Sequence, residues 1–299
     1  MHQTNIQAVI VTHHPNEDHL IALIKSLAPQ VSHILVIDNN SKSFPTLESQ
    51  FNSSKVKVRI NSENIGLAAA YNIGIADAQQ SGCTHLILFD QDSMPTSDMV
   101  DKLLQALLAR NSASLCVAAA GPKYSDIKSQ SQSPFVRIKG FQLERVPCLE
   151  NEIVEIDHLI SSGSLIDLRA IDLIGNFADE LFIDCVDTEW CLRARRHGLI
   201  ILGVGSALMK HNIGDAHFTV MRKQIPLHSP LRNYYQIRNQ IWLIKQTWVG
   251  WRWRIIDTLR CCKLIIAFTV FAPNRADRLL FISKGIFDGI FSRMGRYRA

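Results

Sequence analysis

No C-x-x-C pair occurs among the seven cysteines, which stand scattered at positions 83, 116, 148, 185, 191, 261 and 262. An odd, scattered set makes no disulfide framework, and without paired spacings a zinc ribbon or a thioredoxin-type motif is excluded. Reduced thiols in a cytosolic protein are the reading that remains. The opening residues, MHQTNIQAVIVTHHPNED, lack a basic n-region and a small-residue cleavage site, so no export signal is expected. Long apolar runs are also missing: the uncharged stretch 264–272 has only nine residues, against roughly 20 for a spanning helix. With 15 Gly, 10 Pro and no biased tract, disorder, collagen and repeat arrays are poor fits. What is present is an ordinary globular composition, 299 residues at 47% hydrophobic and 20% charged, long enough for a sizeable core.

The net charge of +5 hides a split. Residues 222–299 hold fifteen Lys and Arg against three acids, a balance of +12, whereas residues 1–221 carry seventeen against twenty-four, or −7. Such asymmetry suggests an acidic catalytic body with a basic tail aimed at an anionic surface or substrate.

The first 120 residues alternate strand and helix patterns. Residues 8–12 (AVIVT), 33–37 (HILVI), 56–60, 85–89 (HLILF) and 116–120 (CVAAA) read as strands. Residues 17–27 place Leu20, Leu23, Ile24 and Leu27 on one helical face, and residues 64–80 form a second helix pattern. Ser97 is a credible N-cap for a helix through Arg110, with Asp98 and Asp101 in its first turn. This alternation predicts a parallel, doubly wound α/β sheet, in which ligands bind beyond the carboxyl ends of the strands. Thr12, Asp38, Asp90 and Asp92 sit at such ends. Residues 122–155 are polar and aperiodic and read as an excursion over the sheet. Strand character returns at 156–167 and 181–183, residues 189–197 read as a helix stopped by Gly198, and the chain is helical from Pro230, with a break at Pro273.

Asp90 and Asp92 follow a buried strand two residues apart, so in extended geometry both point into one cleft. A pair of hard oxygens there suits Mg²⁺ or Mn²⁺ carrying a diphosphate, and suits a plain turn equally well. A second acidic cluster, Asp184, Asp187 and Glu189, serves either as favourable charge at a helix N-terminus or as the source of a general base. His211 ends another apolar run. It is a packed or solvated histidine or a metal ligand, and pairing it with His217 for zinc leaves two ligands unsupplied.

Taken in order, these segments resemble the family 2 inverting glycosyltransferases, and within them the bacterial rhamnosyltransferases. The resemblance runs from Val9 to about Asn239 and rests on short motifs. Residues 36–41 (VIDNNS) resemble a "V-D-N-x-S" turn, implying that Asp38 reads the nucleobase of a donor. Residues 64–75 (NIGLAAAYNIGI) resemble an "N-x-G…A-x-N-x-G" helix, implying that Asn64, Gly66 and Asn72 lie beside that donor, as Thr12 does. Asp90-Gln91-Asp92 stands where the family has D-x-D, with Asp90 near the ribose and Asp92 on the metal. Residues 184–193 (DCVDTEWCLR) resemble the "D-x-x-D-x-E-W-x-x-R" signature of rhamnosyl- and galactofuranosyltransferases. There Asp187 would be the catalytic base, with Asp184, Glu189 and Trp190 acceptor-binding or structural. His211 falls at a metal-binding position, and residues 232–239 (RNYYQIRN) resemble a run that places Arg232 and Arg238 near the diphosphate. Many members carry Glu-Asp at the base position; here Val186 precedes Asp187, which leaves Asp184 and Glu189 as competitors.

The resemblance implies a GT-A type, Rossmann-like α/β domain over residues 1–221 and a helical, basic, Trp-rich, membrane- or acceptor-associated region over 222–299. It implies transfer of L-rhamnose from dTDP-L-rhamnose, with Mg²⁺ or Mn²⁺, to a lipid-diphosphate-linked saccharide of O-antigen or capsule type. The alternatives are a UDP-sugar donor such as UDP-galactofuranose and a non-catalytic sugar-nucleotide-binding protein. Trp242, Trp248, Trp251 and Trp253 cluster among basic residues, as helices lying in an anionic interface do; an oligomer interface is the other use of such a cluster, and nucleic acid is not an expected partner. The expected location is cytoplasmic, peripheral on the inner face of the cytoplasmic membrane.

Overall fold

The run Ile6–Thr12 (β1) is buried at every position, as a strand covered on both faces must be. It pairs in parallel with His33–Asp38 (β2) on one side and His85–Asp90 (β4) on the other, and Val56–Ile60 (β3) adds to the β2 edge. The register sets Thr12 opposite Asp38 and Val11 opposite Asp90, so the polar ends of the three strands meet at one edge. The computed structural model describes residues 4–42, 44, 51, 54–111, 116–126, 132–211, 216–220 and 223–298.

Alternate residues of β1 feed two cores. Ala8 and Ile10 pack with Leu20, Leu23 and Leu27 of helix α1, Glu17–Leu27, while Val9 and Val11 pack with Tyr71 and Ile75 of α2, Leu67–Gln80. The N-cap of α1 is Asn16, whose side chain accepts from His19 N at 3.0 Å. Helix α2 begins at Leu67 rather than at Asn64, because Gly66 has φ +88° and cannot be helical. Likewise α3 spans Met99–Arg110, and Asp98, not Ser97, precedes it; Met99 N is taken by the Thr96 carbonyl, which leaves Ser97 in the turn before the helix.

The other half of the sheet departs from a purely parallel arrangement. With Ser93–Pro95 as β5, Val117–Asp126 as β6, Leu165–Asp167 as β10 and Ile200–His211 as β11, its strand order is β3-β2-β1-β4-β10-β6-β11-β5, and β10 is antiparallel to both β4 and β6. A parallel entry needs a crossover of about a dozen residues or more. Here the chain has already turned back by Ile153–Ile156 (β9), which runs opposite to β6 as β10 does, and the tight turn at Ser161–Ser164, around Gly163 with φ +81°, leads into β10 in that same sense. The long strand Ile200–His211 (β11) runs parallel to β6, and Ser93–Pro95 (β5) and Ile153–Ile156 (β9) pair antiparallel with it. The aperiodic stretch 122–155 therefore holds the end of β6, the hairpin Phe135–Lys139 (β7) with Gln142–Val146 (β8), and β9; residues 127–131 lie outside the described residues. Residues 181–183 are not a strand: after the short helix Leu168–Ile174 (α4), Asp179–Leu181 is a 3-10 turn leading into helix α5, Val186–Arg196.

After the hairpin Ala216–Val220 (β12) and Lys223–Leu227 (β13) come α6 (Pro230–Lys245), α7 (Trp251–Ile266), a wide turn at Ala267–Phe271 and α8 (Arg275–Ile290). Ser229 caps α6, and Pro230 occupies its first turn, where a missing N–H costs nothing. Helices α6 and α8 lie backbone to backbone: a Cβ at Gly285 would stand 2.7 Å from the Tyr234 carbonyl, and one at Gly289 2.8 Å from that of Arg238. Among the described residues no helix is long and apolar enough to cross a membrane.

Candidate active site

The carboxyl ends of β1, β2 and β4 border a cleft of about 500 Å³, and α5 with the loop before it forms the facing wall. Thr12, Asn64, Gly66, Asp90, Asp92, Asp184, Asp187, His211 and Arg232, all picked out by the sequence, line this one cleft.

Asp38 lies beneath the cleft rather than on it. It is fully buried, with Oδ1 accepting from Thr12 Oγ1 at 2.8 Å and Ser41 Oγ at 2.6 Å, and Oδ2 from Ser41 N at 2.6 Å. With the side chain wholly buried, a direct contact to a nucleobase would need the floor to open; as it stands, Asp38 fixes the floor under Thr12 and Asn39. Gly66 is required on steric grounds, since a Cβ there would meet Phe182 Cδ2 at 2.6 Å.

Asp90, Asp92 and His211 each bring a ligand atom to within 4.8 Å of the others. Residues 90–92 join β4 to β5, and the β5–β11 register sets His211 opposite Ser93, which brings a distant histidine to the pair. Ser93 Oγ shares a 2.8 Å hydrogen bond with His211 Nδ1 and a 2.6 Å bond with Ser162 Oγ, which accepts from Asp90 N at 3.1 Å. Nε2 then lies 4.0 Å from Asp90 Oδ2, and Nδ1 lies 3.6 Å from Asp92 Oδ1. Tyr71, wholly buried, donates to Asp90 Oδ1 at 3.2 Å. Burial pushes the Asp92 carboxyl above its usual range; His211 opposes that shift and Asp90 adds to it. Two carboxylates that repel one another unless positive charge is placed between them, with an imidazole oriented from behind, fit a divalent cation. The side chain of His217, the other histidine of this segment, lies outside the described residues.

On the facing wall, Phe182, Asp184 and Cys185 all have φ near +60°, a conformation that costs non-glycine residues about 1–3 kcal/mol each. The following helix α5 carries Asp187 in its first turn rather than in a strand–helix junction. Asp187 Oδ1 accepts from Thr188 N at 2.7 Å and lies 3.8 Å from His158 Nε2. Burial alone would raise its carboxyl, but His158 and the Thr188 donors outweigh it and hold the group below its ordinary value. Asp184 forms an ion pair with Arg232, with N–O distances of 3.2–3.3 Å, at the mouth of the cleft.

Arg238 and Asn72, expected at the donor, are turned away from it, and Glu189 and Trp190, expected to be acceptor-binding or structural, are packed into the fold. Arg238 is fully buried and donates to the carbonyls of Glu180, Leu181 and Gly295, so it holds the wall loop and cannot reach a diphosphate. Asn72 faces away from the cleft, exchanging hydrogen bonds with the backbone of Phe177 and meeting Asp179. Glu189, 2% exposed, is paired bidentately with Arg193. Trp190 is buried against Phe177 and donates to the Gly175 carbonyl at 3.2 Å, which makes it a core residue. Sequence reasoning missed His158, Ser93 and Ser162, whose partners are remote along the chain, and His228, which lines the cleft.

The model of glycosyl transferase family 2 matches residues 8–160. A dTDP-rhamnosyl transferase, RfbF of Shigella flexneri, is 32% identical over 303 aligned positions, covering 99% of each chain. Among solved structures, TarS residues 1–349 of S. aureus superposes with a TM-score of 0.61 at 13% identity, over 97% of this chain and 82% of that one. GalNAc-T7, crystallised with UDP, GalNAc and Mn²⁺, gives 0.61 at 14% identity, over 97% and 56%. At such identities the two structures speak for the fold alone.

Proposed function

The chain belongs to glycosyl transferase family 2 and is a glycosyltransferase, and from that premise we propose that it moves L-rhamnose from dTDP-L-rhamnose, with inversion, onto a lipid-diphosphate-linked saccharide in cell-surface polysaccharide assembly of O-antigen or capsule type. The observation that carries the reaction class is a single cleft with Asp90, Asp92 and His211 on one wall and Asp187 on the other. Full-length similarity to a protein named for dTDP-rhamnosyl transfer supports the donor.

Thr12, Asn64 and Gly66 form the donor side of the cleft. A divalent cation, Mg²⁺ or Mn²⁺, held by Asp92 and His211 with Asp90 beside it, would neutralise charge growing on the departing diphosphate. Arg232 stands at the same mouth and adds a charge-assisted contact there. Asp187 takes the proton from the acceptor hydroxyl as that oxygen attacks the anomeric carbon from the face opposite the diphosphate. Its depressed carboxyl keeps it ionised and ready for that step.

Residues 1–221 act as the catalytic body and 222–299 as the acceptor-facing part, which we place against anionic membrane on the cytoplasmic face. Three of the four clustered tryptophans are buried or half-buried; only Trp251 is exposed. The better support is a stripe on α7, Trp251, Ile255, Leu259 and Ile266, whose side chains are exposed at helical spacing beside Arg252, Arg260 and Lys263. An exposed apolar stripe edged with cations suits a helix lying in an anionic interface.

The test is a donor screen with the purified full chain and a synthetic lipid-diphosphate saccharide, comparing dTDP-L-rhamnose with UDP-sugars including UDP-galactofuranose. Transfer from dTDP-L-rhamnose with an inverted anomeric centre is expected. Preference for a UDP-sugar overturns the donor assignment, and binding of donor without transfer to any acceptor overturns catalysis.

A further inference from the structure

We propose that His158 is the positioning residue for the general base: its imidazole holds Asp187 by Oδ1 and so leaves Oδ2 facing the acceptor hydroxyl. The inference rests on Asp187 being that base.

The anchoring is one-sided. Thr188 N reaches Oδ1 at 2.7 Å, Thr188 Oγ1 reaches it at 3.3 Å, and His158 Nε2 lies 3.8 Å away. Among the described residues no hydrogen bond falls on Oδ2. A carboxylate bonded on one oxygen by its own helix terminus, with an imidazole facing that same oxygen, is restricted in its rotation. The reacting oxygen is therefore selected before the acceptor arrives, which is how orientation contributes to rate.

His158 is itself fixed. It follows β9, and its backbone bridges to Val136 of β7, so the imidazole projects from a braced sheet edge. Helix α7 contributes Asp257, 2% exposed, within electrostatic reach of His158. Burial raises the Asp257 carboxyl, while Arg260, 3.6 Å away, and His158 lower it. His158 thus stands between a carboxylate of the catalytic helix and one of the C-terminal helices.

The other ionisable groups nearby do not compete for it. Asp157 is taken by Arg195 at 2.7 Å, and Asp184 by Arg232. The Cys185 and Cys191 thiols and the Tyr71 and Tyr124 phenols are pushed up by burial and stay neutral in the working range.

In the reaction the acceptor O–H bond breaks and its proton passes to Asp187 Oδ2. The acceptor oxygen bonds the anomeric carbon, and the sugar–diphosphate bond leaves with its electron pair. His158 exchanges no atom in this step; it orients Asp187 and holds it ionised.

The experiment compares His158→Ala, His158→Gln and Asp187→Asn in the full chain, measuring kcat, donor KM and the pH dependence of kcat. For His158→Ala the expected result is a fall in kcat of about 10-fold or more, the size typical for loss of an orienting partner, with donor KM within about two-fold. Loss of His158 removes an influence that lowers the Asp187 carboxyl, so the acid limb of kcat moves to higher pH. His158→Gln can still donate to Oδ1; it should recover much of kcat and leave the acid limb displaced. Parental kcat and limb in folded His158→Ala and His158→Gln, or a rise in donor KM alone, overturns the proposal. If the alanine variant does not fold, the glutamine variant decides by its acid limb. Parental turnover in Asp187→Asn instead removes the base assignment itself.

Discussion

Asn239 donates its side-chain amide to the Ile183 carbonyl at 2.7 Å, and the same nitrogen lies 2.9 Å from the carbonyls of Leu181 and Asp184. One buried amide on α6 therefore organises the wall loop in which Phe182, Asp184 and Cys185 hold left-handed φ values. Arg238 beside it adds bonds to Glu180 and Leu181. The tail also returns to this loop, with Gly295 N donating to the Glu180 carbonyl at 2.7 Å. Catalytic cleft and C-terminal helices are joined at this seam.

Asn239→Leu keeps the volume and removes the donor. Leaving a buried carbonyl unsatisfied costs about 1–3 kcal/mol, and three carbonyls share this amide. Urea unfolding should show a loss of about 3 kcal/mol, with lower turnover because Asp184 and Asp187 lose their setting. A loss below about 0.5 kcal/mol, the range of ordinary surface substitutions, would mean that the loop holds its shape without the clamp.

Asp92→Ala should weaken donor nucleotide binding in the presence of Mn²⁺ or Mg²⁺ and have little effect when the metal is chelated. Isothermal calorimetry with and without cation distinguishes the two. Unchanged metal-dependent affinity would remove Asp92 from the metal group.

Asp187→Asn should retain donor binding and lose turnover by about 10²–10⁴-fold, the usual worth of a general base. Its effect on stability has a definite sign. The folded carboxyl lies below its unfolded value, so its contribution is present above the unfolded value of about 4 and is lost as pH falls through the folded one. Thermal melts should show the variant less stable than the parent near neutrality, with the gap closing in acid. A gap that widens in acid would contradict the depressed carboxyl.

Flotation with anionic liposomes should recover the protein, and recovery should fall with salt, since each basic residue near such a surface contributes about 1 kcal/mol. Leu259→Glu, at an exposed site on the α7 stripe, should reduce recovery without changing the melting temperature. Equal recovery with neutral and anionic vesicles, or none with either, would remove the membrane assignment.

The sequence by itself determined the features that depend on near neighbours. The bounds of α1 and β3 coincide with their hydrophobic patterns, and the place of Asp90 and Asp92 beyond a buried strand follows from the same period-two and period-3.6 signals. The basic C-terminal helices were legible from composition and the break at Pro273. Tertiary structure alone decided which distant groups meet. His211 joins Asp90 because β11 pairs with β5, His158 reaches Asp187 from another sheet edge, and β10 lies antiparallel between β4 and β6. It also moved Arg238 and Asn72 out of the site: each found buried or nearby backbone carbonyls to satisfy, Arg238 at a separation of 57 residues and Asn72 at 105. A motif fixes a residue's type and local element, but a buried polar group goes where an unmet hydrogen bond is, and that location is set by the packing of the whole chain.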